Sequence, residues 1–138
     1  MKTIEGGLDV LDNVVGTIVD ALPHGGVVVL QGDLASGKTT LTQAMARFMG
    51  IDEAVTSPTF SLQQRYGERL YHYDLYNHGI EHFLALGLLE ALEAEGYHFV
   101  EWGDETLLDL LEATGLPHLR VEIEKSAPDA RRYKVYHA

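Results

Sequence analysis

The stretch that decides the fold is VVVLQGDLASGKTTL, residues 27–41. It opens with four consecutive aliphatic residues, Val27 to Leu30, which predict a β-strand buried on both faces. A glycine-containing turn follows at once, and apolar residues then return at helical spacing from Leu41 to Met49. The stretch therefore predicts a strand, a tight loop and an amphipathic helix in direct succession, as in α/β proteins.

The loop satisfies the pattern GxxxxGK[ST], in which each required residue type has a physical role. Gly32 and Gly37 allow the backbone amides to curl around a phosphate, and the helix that follows directs its positive dipole end at the same anion. Lys38 supplies charge for the outer phosphates, and Thr39 supplies a hydroxyl for Mg2+. A chance match on a glycine-rich turn is the alternative, but the flanking strand and helix argue against it. We predict that a nucleoside triphosphate binds to Gly32, Asp33, Leu34, Ala35, Ser36, Gly37, Lys38, Thr39 and Thr40.

The rest of the chain continues the alternation of helices and strands. Helices are predicted at residues 8–22, 81–94 and 106–112, and strands at residues 59–66, 70–76, 97–101, 119–125 and 131–137. Gly87 weakens the second of these helices, and the last two strands form a hairpin. Because no linker or repeat interrupts the pattern, we predict that residues 1–138 form a single three-layer P-loop NTPase domain of the α/β class. We expect a mainly parallel central sheet and a C-terminal β-hairpin.

Composition narrows the possible functions. The chain has no cysteine, which excludes a disulfide, a thiolate nucleophile and a zinc–thiolate site. It also lacks a signal pattern and an apolar run long enough to span a bilayer, so we expect a cytoplasmic protein that does not act at a membrane. The formal net charge of −11 repels free nucleic acid, and only residues 120–138, with 5 basic and 3 acidic residues, have a positive balance. Any contact with RNA should therefore go through a partner.

Two carboxylates that end predicted strands are candidates to complete the site. In YHYDLY, strand alternation places Asp74 on the same face as His72. In YHFVEWGD, Glu101 ends a strand and Trp102 follows it. A strand-end cap and a core anchor are the ordinary roles for such residues. Beside a phosphate loop, however, carboxylates at strand C-termini occupy the edge at which open α/β sheets bind ligands.

Four motifs in order resemble those of the TsaE family: GDLASGKTT at residues 32–40, TSPTF at 56–60, YHYDLY at 71–76 and EW at 101–102. Members of that family are the ATPase component of the bacterial machinery that makes N6-threonylcarbamoyladenosine in tRNA. The resemblance implies ATP and Mg2+ as cofactors and the TsaB and TsaD proteins as partners. It further implies that the partners carry out the transfer chemistry and that tRNA is met only through their complex.

The resemblance also implies roles for individual residues. It places Thr59 in a switch-like segment beside the γ-phosphate, assigns Asp74 to Mg2+, and places Glu101 and Trp102 at the nucleotide site. Together with the phosphate loop and the strand-end carboxylates, it predicts Thr39, Asp74 and Glu101 as metal ligands and Lys38, Asp74 and Glu101 as catalytic residues.

Two departures from the family pattern lie near these residues. Ala35-Ser36 stands where members usually have Gly-Ala, and Asn77 stands where an arginine often follows DLY. If that arginine neutralises charge during hydrolysis, another cation must serve, and Arg65 and Arg69 are nearby in sequence. A partner protein is the other possible source.

Three hypotheses about the reaction stay open on sequence alone. The first is a Mg2+-dependent ATPase of low intrinsic activity that its partners stimulate. The second is a small-molecule or nucleoside kinase, although the short chain lacks an arginine-rich lid. The third is a nucleotide-gated docking switch. The basic residues Arg131, Arg132 and Lys134 either meet tRNA or an acidic partner or simply protect edge strands from aggregation.

Overall fold

A computed structural model of the chain describes residues 1–32, 37–52, 63–75, 81, 84–85 and 87–137. The described residues form a seven-stranded β-sheet with helices packed against it. The strands are β1 (Lys2–Gly6), β2 (Gly25–Gln31), β3 (Gln63–Tyr66), β4 (Leu70–Asp74), β5 (Gly96–Glu101), β6 (His118–Ala127) and β7 (Ala130–His137). The helices with described bounds are α1 (Leu11–Ala21), α2 (Lys38–Phe48), α3 (Leu88–Ala91) and α4 (Glu105–Thr114).

The sheet is mixed, and its centre is parallel. The strand order is β1-β7-β6-β2-β5-β4-β3. β2 lies between β5 and β6 and pairs with both in parallel, and β4 pairs in parallel with β5. β7 returns antiparallel beside β6, and β1 and β3 form antiparallel edges. The prediction of an α/β fold with a mainly parallel sheet and a C-terminal hairpin is therefore confirmed.

Two hydrophobic cores, one on each face of the sheet, produce the three layers. Successive residues of a strand point to opposite faces, so β2 contributes to both cores. Val28 packs with residues of α1 and α2, whereas Val29 packs with Leu107 and Leu111 of α4. Because every residue from Val27 to Leu30 is fully buried, β2 is a central strand, as its aliphatic run predicts.

Parallel pairing brings three strand ends together at one edge of the sheet. Leu30, at the end of β2, is the register partner of Glu101, at the end of β5. Glu101 is in turn the register partner of Asp74, the last residue of β4. This edge lies beside the N-terminus of α2, where Thr39 meets Glu101, and it is the edge at which doubly wound sheets bind ligands.

The structure corrects two element predictions and refines a third. β1 was not predicted. It is an edge strand that pairs with β7, and its sequence KTIEG has a single partly buried apolar residue, Ile4, so it lacks the alternating apolar pattern of a strand. The first helix begins at Leu11 rather than Leu8, since a 3₁₀ turn precedes it. The helix predicted at residues 81–94 is interrupted at Gly87. This residue is the N-terminal cap of α3 and has a left-handed conformation, with a φ of +71°.

Parts of other predictions lie outside the described residues. These are residues 59–62 of one predicted strand, Tyr76 of the next, and several positions of the predicted helix at 81–94. None of the helices in the described part of the chain combines the length and hydrophobicity needed to cross a bilayer.

A buried polar network fastens β4 to β5. Gln63 donates to the hydroxyl of Tyr73 at 3.2 Å, and that hydroxyl lies 2.8 Å from Nδ1 of His98. Nε2 of His98 lies 2.7 Å from the carbonyl oxygen of Ala94, and the ring stacks on Tyr71 with centroids 4.4 Å apart. Because a carbonyl only accepts, Nε2 carries the hydrogen, which leaves Nδ1 to accept from Tyr73. The neutral imidazole therefore satisfies the whole chain of hydrogen bonds.

Burial lowers the pKa of His98 below its ordinary value of 6.5, so the folded protein should lose stability in mild acid. Between the folded and unfolded pKa values the unfolded chain binds more protons, and the free energy of unfolding therefore rises with pH. We expect the stabilisation that comes from neutral His98 to be complete above about pH 6.5. It should be lost as the pH falls through the lowered pKa of His98 in the folded protein. Urea unfolding at pH 7.5 and pH 5.5 measures the difference, with His98→Gln as the comparison. An equal decrease in both proteins would exclude His98 as a source.

Candidate functional site

The phosphate loop joins β2 to α2. Gly32 follows β2, Gly37 is the N-terminal cap of α2, and Lys38 is the first residue of that helix. Gly37 has a φ of +105°, a left-handed conformation that strains any residue with a Cβ. The first turn of α2 has no acidic residue, so the positive end of the helix dipole is directed toward an anion at the loop. The predicted loop residues Asp33, Leu34, Ala35 and Ser36 lie outside the described residues, as does Thr59.

Lys38 is almost fully buried, with 3% of its surface exposed. Its Nζ donates a hydrogen bond of 2.9 Å to the carbonyl oxygen of Gly32. The same Nζ lies 4.2 Å from the centre of the Trp102 ring, within range of a cation–π interaction. The ammonium group is therefore held between the start of the loop and the end of β5.

Trp102 has a backbone conformation that is unusual for a residue with a side chain. Its φ is +65°, and its amide donates to the carbonyl oxygen of Leu30 at 3.2 Å. A non-glycine residue in this region costs about 1–3 kcal/mol, and such strain concentrates at functional sites. The turn immediately after Glu101 thus places an indole ring against Lys38.

Glu101 lies at the point where β5 meets the phosphate loop. It is buried, with 3% of its surface exposed, and its Oε2 accepts a long hydrogen bond of 3.4 Å from the Thr39 hydroxyl. Parallel pairing of β5 with β2 explains this approach, because β2 leads directly into the loop. The fold thus brings Glu101 to a residue 62 positions earlier in the chain.

Asp74 extends the same row of oxygen-bearing side chains. It is half-buried at the end of β4 and in register with Glu101. Neighbouring strands lie about 4.8 Å apart, and register partners share a face of the sheet. The structure therefore places Thr39, Glu101 and Asp74 along one edge, in the order α2, β5 and β4.

The donor set of this edge fits Mg2+. Hydroxyl and carboxylate oxygens are hard ligands, and Mg2+ usually takes one or two carboxylates together with water and substrate phosphates. Within the described ranges, no group of three or more His, Asp or Glu residues is arranged to hold a metal by itself. A site that shares its ion with a bound phosphate would not need such a group.

His72 is a member of this site that sequence reasoning did not select. Its side chain is fully buried, and Nε2 contacts Oε2 of Glu101 directly. The contact follows from alternation, since His72 precedes Asp74 by two residues on the same face of β4. The alternation in YHYDLY was the available signal, but it does not reveal which residue of another strand His72 meets.

Arg131 is a second unselected member, and it belongs to the basic C-terminal hairpin. Its Nε lies 3.9 Å from the position that a Cβ on Gly37 would occupy. A cavity of about 260 Å3 opens beside the loop at this point. Its lining is formed by Gly7, Leu8, Gly37, Thr40, Pro128, Asp129, Arg131 and Tyr133. The hairpin thus contributes one wall of a cleft that adjoins the phosphate loop.

The other arginines considered from the sequence lie elsewhere. Arg69 is on the β3–β4 turn, and its Nη2 is 3.5 Å from Oε1 of Glu95. Arg65 donates to the carbonyl oxygen of Gly67 on the same turn. Both are near the start of β4, whereas the phosphate loop is near its end.

The motifs of the chain match a described family over most of its length. The family model named "Threonylcarbamoyl adenosine biosynthesis protein TsaE" matches residues 9–133. The chain belongs to the TsaE family. A protein named tRNA threonylcarbamoyladenosine biosynthesis protein TsaE from Treponema pallidum (strain Nichols) is 43% identical over 110 residues, covering 77% of this chain and 82% of that protein. The protein of the same name from Bacillus subtilis (strain 168) is 36% identical over 110 residues, covering 78% of this chain and 66% of that one.

A solved structure agrees with the fold described above. The crystal structure of Bacillus subtilis YdiB aligns with a TM-score of 0.63 and 27% identity, covering 99% of this chain and 86% of that chain. The matched TsaE-family region contains the phosphate loop, β4, β5 and the start of β7. It therefore contains the described residues of the site apart from Gly7 and Leu8, which precede residue 9.

The TsaE-family site combines three chemical capacities in one place. The helix N-terminus and Lys38 can bind an anion, and the oxygens of Thr39, Asp74 and Glu101 can bind a hard cation. A buried carboxylate at the end of β5 can also accept a hydrogen bond from water. Such a set can hold a metal-bound polyphosphate and orient a water molecule beside it.

Proposed function

We propose that this TsaE-family protein is a Mg2+-dependent ATPase that serves the biosynthesis of N6-threonylcarbamoyladenosine in tRNA. The observation that carries the proposal is the convergence of Lys38, Thr39 and Glu101 where β2 and β5 end beside α2. The family description and the names of its relatives support the place in tRNA modification. The convergence supports the hydrolytic activity.

In this proposal the phosphates lie in the loop from Gly32 to Thr40, against the amides of α2. Lys38 exchanges its contact with the Gly32 carbonyl for the outer phosphates, where each charge-assisted hydrogen bond is stronger than the one it replaces. The nucleoside occupies the cleft beside Gly37, whose walls include Leu8 and Tyr133. That cleft is large enough to enclose most of a purine ring system.

Thr39, Asp74 and Glu101 are the residues that would hold Mg2+. When bound, the ion would neutralise charge on the phosphate oxygens and keep them in line for displacement. Glu101 orients the attacking water and accepts its proton, because a buried carboxylate beside the phosphates is placed for general-base work. Arg131 approaches the loop at Gly37 and could supply a further positive charge there. Thr59 remains proposed for the γ-phosphate side.

The partners in this proposal are the TsaB and TsaD proteins, and tRNA is met through their complex. The net charge of −11 supports an indirect contact with RNA. The ion pairs made by the basic residues of the hairpin also support an indirect contact with RNA. Arg132 lies 3.4 Å from carboxylate oxygens of Glu5 and Glu124, and Lys134 lies 3.5 Å from Glu124. These cations are already engaged with acidic neighbours.

Phosphate release from Mg-ATP, measured with and without TsaB, TsaD and tRNA, tests the proposal. We expect slow release by the protein alone and a rate at least about tenfold higher when the partners are present. Such stimulation would mean that the partners complete or order the site. No release under either condition would contradict the ATPase and favour a nucleotide-gated docking protein. Recovery of labelled γ-phosphate on an organic acceptor would instead establish a kinase.

A further inference from the structure

The contact between His72 and Glu101 joins two strands on the face that carries α2. In β5, Glu101 follows Phe99 by two residues, and in β4, His72 is the register partner of Phe99. His72 and Glu101 are therefore diagonal neighbours on the same face, a separation that long side chains can bridge. The register of the parallel pair fixes which carboxylate the imidazole meets.

Two groups donate to the same oxygen of Glu101. The Thr39 hydroxyl reaches Oε2 at 3.4 Å, which is long for such a bond, whereas Nε2 of His72 is in close contact with it. Both His72 and Glu101 are buried, so bulk solvent competes little for their contact at Oε2. His72 is therefore the stronger of the two contacts that set the orientation of this group.

A purely structural role explains His72 less well. Its Nδ1 is buried and has no hydrogen-bond partner among the residues that the structure describes. Leaving a buried polar atom unpaired destabilises a fold, and an apolar side chain of similar size would avoid that cost. Tyr66 lies close by, with its ring centroid 6.4 Å from that of His72, so an apolar replacement would find apolar surroundings. His72 therefore keeps its contact with Glu101 although its unpaired Nδ1 lowers the stability of the core.

We propose that His72 is a positioning residue, which holds the Glu101 carboxylate in the orientation needed to bind Mg2+ and direct water. The inference rests on the proposed ATPase function. The Thr39 hydroxyl also donates to Oε2, but at 3.4 Å that bond is long and can give way to a metal while His72 holds the carboxylate. Without His72, Oε2 would depend on Thr39, and that competition would weaken the metal site.

Three variants test this role. His72→Leu removes the donor and keeps bulk, and His72→Gln keeps an N–H that can reach Oε2. His118→Leu is the matched control, since His118 is buried and its Nε2 lies 3.8 Å from Glu112. His118 pairs with Val27 near the starts of β6 and β2, whereas the phosphate loop follows the end of β2.

The first readout is a Mg2+ titration at fixed ATP, followed by the emission of Trp102, the single tryptophan of the chain. We expect His72→Leu to raise the half-saturating Mg2+ concentration about tenfold, as is typical when a residue that orients a metal ligand is lost. ATP affinity in EDTA should change less than about twofold, because the phosphate loop is intact. His72→Gln should restore the Mg2+ requirement to within about threefold, and His118→Leu should leave it unchanged.

The second readout is phosphate release, which should fall about 10- to 100-fold in His72→Leu and recover in His72→Gln. A His72→Leu protein with the wild-type Mg2+ requirement would overturn the inference. Equal impairment of both His72 variants, with matching losses in urea midpoint, would assign His72 to packing and also overturn it. A different result would show that the proposed ATPase function is wrong. In that case the wild-type protein would release no phosphate even with its partners, while the Mg2+ titration would still distinguish the variants.

Discussion

Replacing Lys38 with alanine should abolish both nucleotide binding and phosphate release. Nζ of Lys38 is held between the Gly32 carbonyl and the Trp102 ring, where it is withdrawn from bulk water. Hydrogen bonds from a charged donor contribute about 1.5–3 kcal/mol each, and two of them to phosphate correspond to at least about a 100-fold loss of ATP affinity. Calorimetric titration with Mg-ATP measures the affinity, and a phosphate assay measures the release.

The matched control for this variant is Lys2→Ala. This substitution removes the same charge as Lys38→Ala. Lys2 is exposed on the edge strand β1, where it pairs with Val135, away from the loop. Its ATP affinity should match the wild type. The urea midpoint of each variant shows whether a loss of affinity comes from unfolding, which is needed because Lys38 is buried and contacts the Gly32 carbonyl and the Trp102 ring. Wild-type ATP affinity in Lys38→Ala would place the nucleotide somewhere other than this loop.

Replacing Glu101 with glutamine should separate binding from hydrolysis. The substitution preserves size and removes the charge and the proton-accepting group. Since the phosphate contacts come from the loop and Lys38, ATP affinity should stay within about threefold of the wild type. Loss of a general base typically lowers the rate 10²- to 10⁴-fold, so phosphate release should fall by about 100-fold or more. Single-turnover assays with TsaB and TsaD present report the chemical step.

A second Glu–His pair provides the control for Glu101→Gln. Glu112→Gln alters the carboxylate that lies near His118, on the exposed side of α4 and away from the site. This variant should hydrolyse ATP at the wild-type rate. Unchanged turnover in Glu101→Gln would remove Glu101 from the mechanism. A large loss of ATP affinity in the same variant would show that its main role is to hold the metal.

The sequence alone determined the unit from β2 through α2. Its elements are adjacent in the chain, so local patterns are sufficient: an aliphatic run for a buried strand, two glycines for a loop around phosphate, and helical spacing after Lys38. The strands that carry Asp74 and Glu101 and the C-terminal hairpin were predictable for the same reason, although β4 ends at Asp74 and does not continue through Leu75 as predicted. β1 was not, because an edge strand that buries little leaves almost no pattern in its residues.

Only the tertiary structure decided which residues from distant segments meet. Strand order places β5 beside β2 and β4 beside β5, which brings Glu101 to Thr39 and His72 to Glu101. The hairpin folds back so that Arg131 approaches Gly37 from the far end of the chain. Such pairings are selected by the burial and hydrogen bonding of the whole sheet, to which every strand contributes at once. A local pattern shows that a residue faces a given side of its own strand, but the neighbour it finds there depends on this global choice.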